Sequence, residues 1–498
     1  MIKTNAENGS GFESRPYQQK GIGSLVNFTK DIVRGNLLNN KEDFEEKYSE
    51  RGYYETAGLV HMATGTGKTY TVGSALKKIL KMRNRFNRLY PDKPFPRLNI
   101  VLFTHLIDLV NQFRDDLTKG RKNPAIFDDE IRENLKVVTY HSKADSGNQT
   151  EEMETETFTQ TNGRQYDKLI CSTFQTAAIP GKLDDENDID IILVDEGHHL
   201  ADGNNYNTVL EKFYNKGRDG KTPVLIVMTA TPNNQTIDLV GESIFHFSLP
   251  EYLASPYSPP IDYNLVTNEN VTEDEISDLE TQRDMIRNIE DIKEKKELLR
   301  ILKGRMDEFL SRFRTSKDLV ENLLKKIGWE KAEATIVFCP SIEIADEVAE
   351  IINSKISGIG TEKFAHSYHS RNDANKALDQ LDNPNNPCKI IIVVDKVNEG
   401  IDMPNIKNVV LWRGTNSPTI FFQQFGRGLR GSDKINVYDY VGGMTNFAWI
   451  NGIYNDYKKF RGEIEDQNDG DTGESGDRNT KFHLIGGDFS GSQIHKLN

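Results

Sequence analysis

One segment limits what this chain can fold into more than any other. The apolar run GLVHM (58–62) leads straight into Ala63-Thr64-Gly65-Thr66-Gly67-Lys68-Thr69, and a helical pattern follows from Tyr70 to about Lys81. A strand that turns through glycines into a helix aims several backbone N–H groups and a helix N-terminus at one spot, which suits a polyphosphate. Gly65 and Gly67 let the backbone approach an anion with no Cβ in the way. In such a loop Thr66 lends its backbone, the Lys68 ammonium reaches the β- and γ-phosphates and the Thr69 hydroxyl ligates Mg²⁺. The strict pattern has a glycine where Met62 stands, so the bland alternative is a Gly-rich turn that happens to contain GKT.

A second feature weakens that alternative. The stretch DIILVDEGHH (190–199) ends an apolar strand on Asp195, 127 residues after Lys68, with Glu196 beside it. A carboxylate at the C-terminal end of a strand sits over the sheet edge where α/β folds bind ligands. Asp195 is expected to hold Mg²⁺, and Glu196 to accept a proton from an attacking water. His198 is the better of the two histidines for sensing a nucleotide, while His199 has a simpler reading as a solvent-facing residue. The cofactors expected from the pair of motifs are ATP and Mg²⁺.

Short β-branched runs recur along the chain. The first set lies at 58–62, 99–103, 136–140, 168–172, 190–194 and 223–228, the second at 335–339, 389–394, 408–412 and 435–440. Near-continuous apolar runs suit strands buried on both faces of parallel sheets, so two α/β domains are expected, at 1–249 and 334–461. Residues 250–333 read as a Pro- and Tyr-rich linker without regular structure (248–263) followed by a charged amphipathic helical insertion. Residues 462–498 read as an acidic, disordered tail, with a short strand or turn docking near its end. The acidic TEEMETET (150–157) reads as a solvated loop, and AHSYHS (365–370) as a loop able to contact phosphate.

Composition removes several classes. With 62 Lys and Arg against 76 Asp and Glu the net charge is −14, which excludes a generally basic coat protein but not a local nucleic-acid track. Cys171, Cys339 and Cys388 are too dispersed for a disulfide framework or a zinc site. The N-terminal stretch has no apolar signal core and no run is long enough to span a membrane, so a cytoplasmic protein with no membrane partner is expected.

The motifs and their order resemble superfamily 2 helicases and translocases from Arg15 to Arg430. Arg15-Pro16-Tyr17-Gln18 resembles the family's adenine-contacting Q-type motif, and residues 63–69 its motif I, which in this superfamily often lacks the first glycine. LFTHLIDLVNQF (102–113) and STFQTA (172–177) resemble motifs that touch nucleic acid. Asp195-Glu196-Gly197-His198 is a DEGH form of motif II, and Thr229-Ala230-Thr231-Pro232 resembles motif III. IVFCPS (336–341), VNEGID (397–402) and QQFGRGLR (423–430) resemble motifs IV, V and VI.

The resemblance implies two tandem RecA-like parallel-sheet domains with a helical insertion. It implies nucleotide contacts from Arg15, Gln18, Gly400 and Asp402, and coupling through His198, Thr229, Thr231 and Gln423. Arg427 and Arg430, three residues apart and hence on one helix face, would act as arginine fingers. Nucleic acid would be held at Thr104, Thr173, Gln175, Ser341 and Asn398. Within the superfamily the DEGH and QQ-x-GRGLR forms resemble the motors of type I and type III restriction enzymes, although Thr104-His105 stand where type I motors often carry Asp-Arg. The implied function is an ATP-dependent translocase or helicase, with DNA favoured over RNA, serving a restriction-type or antiviral system. A nuclease or effector subunit would be its protein partner, since no PD-(D/E)xK constellation is visible. An RNA helicase or RNA-sensing ATPase remains open, as does an ATP-gated scaffold that recruits a protein effector.

Overall fold

A computed structural model describes residues 14–38, 52–121, 123–145, 148–157, 166–201, 206–265, 316–328, 333–356, 363–369, 385–394, 406–412, 434–440 and 482–486, with a few isolated positions besides. The chain divides into two compact units, Met1–Ser248 and Leu249–Asn498.

The first unit is built on an eight-stranded sheet. Its strands are β1 (Ala57–Met62), β2 (Asn99–Thr104), β3 (Leu135–Asp145), β4 (Asn148–Thr157), β5 (Asp167–Thr173), β6 (Ile191–Val194), β7 (Val224–Thr229) and β8 (Ser243–Phe247), in the spatial order 4-3-5-2-6-7-1-8. Every neighbouring pair is parallel except β3 with β4. The central strands β6 and β7 are buried along their whole length, as expected of strands with helices on both faces.

Helices α1 (Pro16–Leu38), α2 (Lys68–Leu89) and α3 (Ile107–Thr118) flank this sheet, with shorter helices α4 (Asp129–Arg132), α5 (Phe174–Ala177), α6 (Tyr206–Tyr214) and α7 (Asn234–Val240). In α2 the buried positions Val72, Ala75, Leu76 and Leu80 recur every three to four residues, the signature of a helix with one apolar face. Phe103, Phe174 and Phe213 meet in the core, with ring centroids 5.0 Å apart for Phe103–Phe174 and for Phe103–Phe213.

The second unit has α8 (Leu249–Ala254), β9 (Ile261–Leu265), α9 (Ser316–Ile327), β10 (Thr335–Phe338), α10 (Ile342–Lys355), β11 (Ala365–Tyr368), β12 (Ile390–Val393), β13 (Asn408–Leu411), β14 (Ile435–Asp439) and β15 (Phe482–Gly486). Its seven strands pair in the order 11-12-10-13-14-9-15, all parallel. The fold class is α/β with two RecA-like parallel-sheet units.

Three expectations change. The stretch 248–263 is not a featureless linker: it forms α8 and then enters the second sheet as β9. Ile261-Asp262-Tyr263 alternates buried Ile261 and Tyr263 with half-buried Asp262, a strand period that the preceding prolines disguise. The short strand expected to dock near the end of the tail is β15, which extends the ladder beside β9. TEEMETET is the edge strand β4 rather than a loop. Strand β4 as a whole pairs antiparallel with β3 over ten positions, and its threonines favour extended backbone. AHSYHS supplies β11, and the His369 Nε2 lies 3.0 Å from an Asp346 oxygen instead of facing a ligand. The helical insertion expected before residue 316 falls almost wholly outside the described residues.

The edge of the first sheet opposite the phosphate loop is pinned by a buried ion pair. Arg83 and Asp167 are both buried. Arg83 Nη2 donates to Asp167 Oδ2 at 2.7 Å, the Leu98 N–H donates to Oδ1 at 2.8 Å and Arg97 stands 3.4 Å from Oδ2. Removing one partner leaves an uncompensated buried charge. Asp167→Asn is therefore expected to destabilise the first unit by about 3–5 kcal/mol, measured as a lowered urea midpoint of its unfolding transition.

Candidate functional site

The phosphate loop runs from the end of β1 to the start of α2. Gly65 and Gly67 have φ of 82° and 88°, a region that side chains with a Cβ disfavour. Gly67 is the N-cap of α2 and offers no side-chain hydrogen bond to the first turn. The N-terminal N–H groups of that helix therefore need another acceptor. Gly65 is exposed while Lys68 and Thr69 are half-buried, so a polyphosphate can reach the loop.

The loop is braced from α1. The Tyr17 hydroxyl and the Gln18 amide both donate to the Thr66 carbonyl, each at 3.0 Å. Gln18 Oε1 accepts the Arg15 N–H at 2.9 Å, and the Arg15 guanidinium donates to the Tyr17 hydroxyl at 3.2 Å. The Thr66 hydroxyl turns back onto the Ala63 carbonyl at 2.6 Å. Gln18, expected to contact adenine, thus spends its oxygen and one N–H inside the protein. Tyr17 was not singled out as a site residue, although the motif Arg-Pro-Tyr-Gln contains it. Its ring stacks on Phe247 of β8 at 4.1 Å.

The acidic turn follows β6, and β7 lies between β6 and β1 in the sheet. Asp195 is buried. Its N–H donates to the Phe103 carbonyl at 3.0 Å, and its Oδ1 accepts the Glu196 N–H at 3.0 Å. Glu196 adopts a left-handed φ of 51°, a strained conformation for a residue with a side chain and one that concentrates at functional sites. Gly197 fits where it does because a Cβ there would stand 2.1 Å from Val227 Cγ1. Lys68 Nζ lies 3.7 Å from Glu196 Oε1, which brings the phosphate loop and the acidic turn into one electrostatic site. Burial, and then the neighbouring Glu196 carboxylate, push the Asp195 carboxyl up to about 6, against the opposing pull of Lys68.

Strand β7 is tied to both neighbours. The Thr229 hydroxyl lies 3.0 Å from His198 Nδ1 and accepts the Thr231 N–H at 3.2 Å. On the other side, His61 of β1 lies 3.1 Å from the Ala230 carbonyl. Burial and the stacked His246 lower the His61 pKa to about 4, so this ring is neutral near pH 7. His198 also stands 3.6 Å from Glu196 Oε2. His199 is half-buried rather than solvent-facing, its ring 4.3 Å from those of both His105 and His198.

The residues expected to track nucleic acid are placed differently from one another. Thr104 is fully buried and its hydroxyl donates to the Leu106 carbonyl at 2.8 Å, so its side chain is not offered to a ligand. Its place at the buried C-terminal end of β2 explains this. Thr173 and Ser341 cap α5 and α10, accepting the N–H groups of Thr176 and Ile344. Gln175 is exposed and bonds the Tyr206 hydroxyl at 2.5 Å. Asn398, Gly400, Asp402, Gln423, Arg427 and Arg430 lie outside the described residues.

The donor set fits Mg²⁺ and a nucleoside triphosphate. It combines an uncapped helix N-terminus with left-handed glycines, a lysine, a threonine hydroxyl at position 69 and a buried carboxylate whose charge is disfavoured without a cation. These features define a phosphate-loop nucleotide-binding protein of the RecA-like kind.

Comparison with known proteins agrees. Residues 11–234 match the family described as type III restriction enzyme, res subunit, and residues 316–432 match the helicase conserved C-terminal domain. The two matches together make the chain similar to the superfamily 2 helicases and translocases of restriction-enzyme-like type. It is 23% identical to IRC3 of Saccharomyces cerevisiae over 295 residues, which are 55% of this chain and 38% of IRC3. It is 23% identical to the type I restriction enzyme EcoKI endonuclease subunit of Escherichia coli over 433 residues, 78% of this chain and 32% of that protein. The chain thus spans about a third of the length of these curated relatives. The solved ATP-dependent type ISP restriction-modification enzyme LlaBIII bound to DNA superimposes with a TM-score of 0.53 at 18% identity, covering 97% of this chain and 32% of that one. This likeness supports the fold. No helix among the described residues is long and apolar enough to cross a membrane.

The raised Asp195 pKa carries a sign. A carboxyl whose folded pKa lies above its unfolded value takes stability from the native state as pH rises through the folded value. Asp195→Asn is therefore expected to raise the melting temperature of the nucleotide-free protein at pH 8, with the gain shrinking at pH 5, where the native carboxyl is protonated. Paired thermal melts at the two pH values measure it.

Proposed function

We propose that this protein hydrolyses Mg²⁺·ATP to drive movement along nucleic acid, with DNA as the favoured track, as the motor component of a restriction-type or antiviral system. The observation that carries the reading is the meeting of Lys68 and Glu196 at 3.7 Å beside the buried Asp195. In this reading the loop N–H groups and Lys68 hold the β- and γ-phosphates, while Thr69 and Asp195 hold the cation. Mg²⁺, when bound, neutralises phosphate charge and restores Asp195 to its ionised form. Glu196 takes the proton of the attacking water. His198 and Thr229 pass the state of the acidic turn to β7, with Thr231 next along the chain. Arg15 and Gln18 hold the loop from α1.

Arg427 and Arg430 are assigned by their motif to stabilise charge on the transferred phosphoryl group. Gln423, Gly400 and Asp402 are assigned to the nucleotide side of the second unit, and Asn398 to its nucleic-acid side. DNA is favoured because the restriction-type proteins this chain resembles include one solved on DNA and an endonuclease subunit. The same resemblance favours a nuclease or effector subunit as the protein partner.

The test is ATP turnover measured side by side with double-stranded DNA, single-stranded DNA and RNA at several salt concentrations. DNA is expected to stimulate turnover most, with the stimulation fading as salt rises because phosphate contacts release counterions. Arg427→Ala should lower the stimulated rate by about 10³-fold or more. Stimulation by RNA alone would make the protein an RNA-dependent ATPase. Turnover indifferent to every nucleic acid, with stable retention of a protein partner, would make it an ATP-gated scaffold.

A further inference from the structure

Helix α2 starts at the phosphate loop and ends near the opposite edge of the first sheet, where the chain carries an unusual density of positive charge. Residues 77–97 hold eight Lys or Arg and one acid, Asp92, in a chain of net charge −14. Arg83 and Arg97 are committed to Asp167. Lys77 and Lys81 lie 3.3 and 2.5 Å from Asp128, and Arg88 lies 3.7 Å from Glu130. Lys78, Arg85 and Lys93 have no ion-pair partner among the described residues.

The free cations stand among exposed apolar groups. Lys78, Met82, Arg85 and Leu89 are all exposed, and their spacing of four, three and four residues makes them one stripe about 16 Å long. Beyond the stripe, Tyr90 is 56% and Phe95 37% exposed. Both rings are held in place. Phe86 packs on each, with centroids 4.7 Å from Tyr90 and 4.8 Å from Phe95. Asn87 donates to the Phe95 carbonyl at 2.9 Å and accepts its N–H at 2.8 Å. The Tyr90 carbonyl accepts the Lys93 N–H at 3.2 Å, and Pro91, Pro94 and Pro96 restrict the loop further.

We propose that this surface is a second nucleic-acid site, on which a single strand stacks bases on Tyr90 and Phe95 and lays its phosphates along Lys78, Arg85 and Lys93. Ordered rings that alternate along the chain with cations, Arg85, Tyr90, Lys93 and Phe95, suit the alternation of base and phosphate in a single strand. The charges interrupt the apolar area, which disfavours a contiguous protein-binding patch. A second copy of the chain would set like charge against like. The surface lies by the N-terminal ends of β2 and β5, since Arg97 and Leu98 contact Asp167. The phosphate loop follows the C-terminal end of β1 in the same sheet, so strand binding here needs no nucleotide. The proposal stands independently of the ATP-coupled track.

The test is fluorescence anisotropy of labelled dT20 and U20 with the full chain in the absence of nucleotide. The Tyr90→Ala/Phe95→Ala pair is expected to weaken the tighter-binding strand by about tenfold or more. The Arg85→Glu/Lys93→Glu pair should weaken it similarly and flatten the salt dependence. Tyr90→Phe/Phe95→Tyr should retain binding, which separates stacking from damage to the fold. Lys68→Ala should leave the strand affinity in place, so that a failure of the ATP-site assignment is read separately. Unchanged affinity for both strands in both weakening pairs, with unaltered thermal melts, would overturn the proposal. Displacement of the strand by a 20-residue polyglutamate at equal charge would also overturn it, pointing to an acidic protein ligand.

Discussion

A carboxylate buried at the end of a buried strand organises the first unit. Asp195 follows β6, whose four residues are all buried, and two hydrogen bonds hold its backbone N–H and one carboxylate oxygen. Ionising such a group out of water costs free energy unless a positive charge stands nearby. Lys68 supplies part of that charge from the phosphate loop, and under the proposed function a divalent cation would supply the rest. The position of the loop, the left-handed turn at Glu196 and the choice of glycine at 197 all follow from placing these groups at one sheet edge.

The strand order turns that edge into a connected device. Because β7 lies between β6 and β1, its end meets His198 on one flank and His61 on the other. The acidic turn thus touches Thr229 directly through His198, while the Ala230 carbonyl meets His61 of β1. Tyr17 and Gln18 add a brace from outside the sheet, both bonding the Thr66 carbonyl. The loop that meets phosphate is therefore held by α1 as well as by β1 and α2.

Much of this was legible in the sequence because the chemistry is local. Residues 63–69 and 190–198 each gather their candidate side chains within a few positions, and the apolar runs that became β1, β2, β6 and β7 are continuous because both faces are buried. Other features were hidden by competing signals. Prolines beside Ile261 masked the strand that joins the second sheet, and acidic residues masked β4, whose stability comes from backbone pairing with β3. A hydroxyl reads alike in sequence whether it faces a ligand, as proposed for Thr69, or the protein's own carbonyl, as for Thr104. The Tyr17 brace is not legible in Arg-Pro-Tyr-Gln because the sequence does not say where the hydroxyl ends, and only its partner, the Thr66 carbonyl, shows it.

Under the proposed function Lys68 and Glu196 do different work at one ATP site. The most direct measurement is ATP binding and single-turnover hydrolysis compared between Lys68→Ala and Glu196→Gln. Glu196→Gln is expected to bind ATP like the natural protein but not to hydrolyse it, while Lys68→Ala is expected to lose hydrolysis together with most of its affinity for the triphosphate. Turnover close to the natural rate in either variant would contradict that assignment.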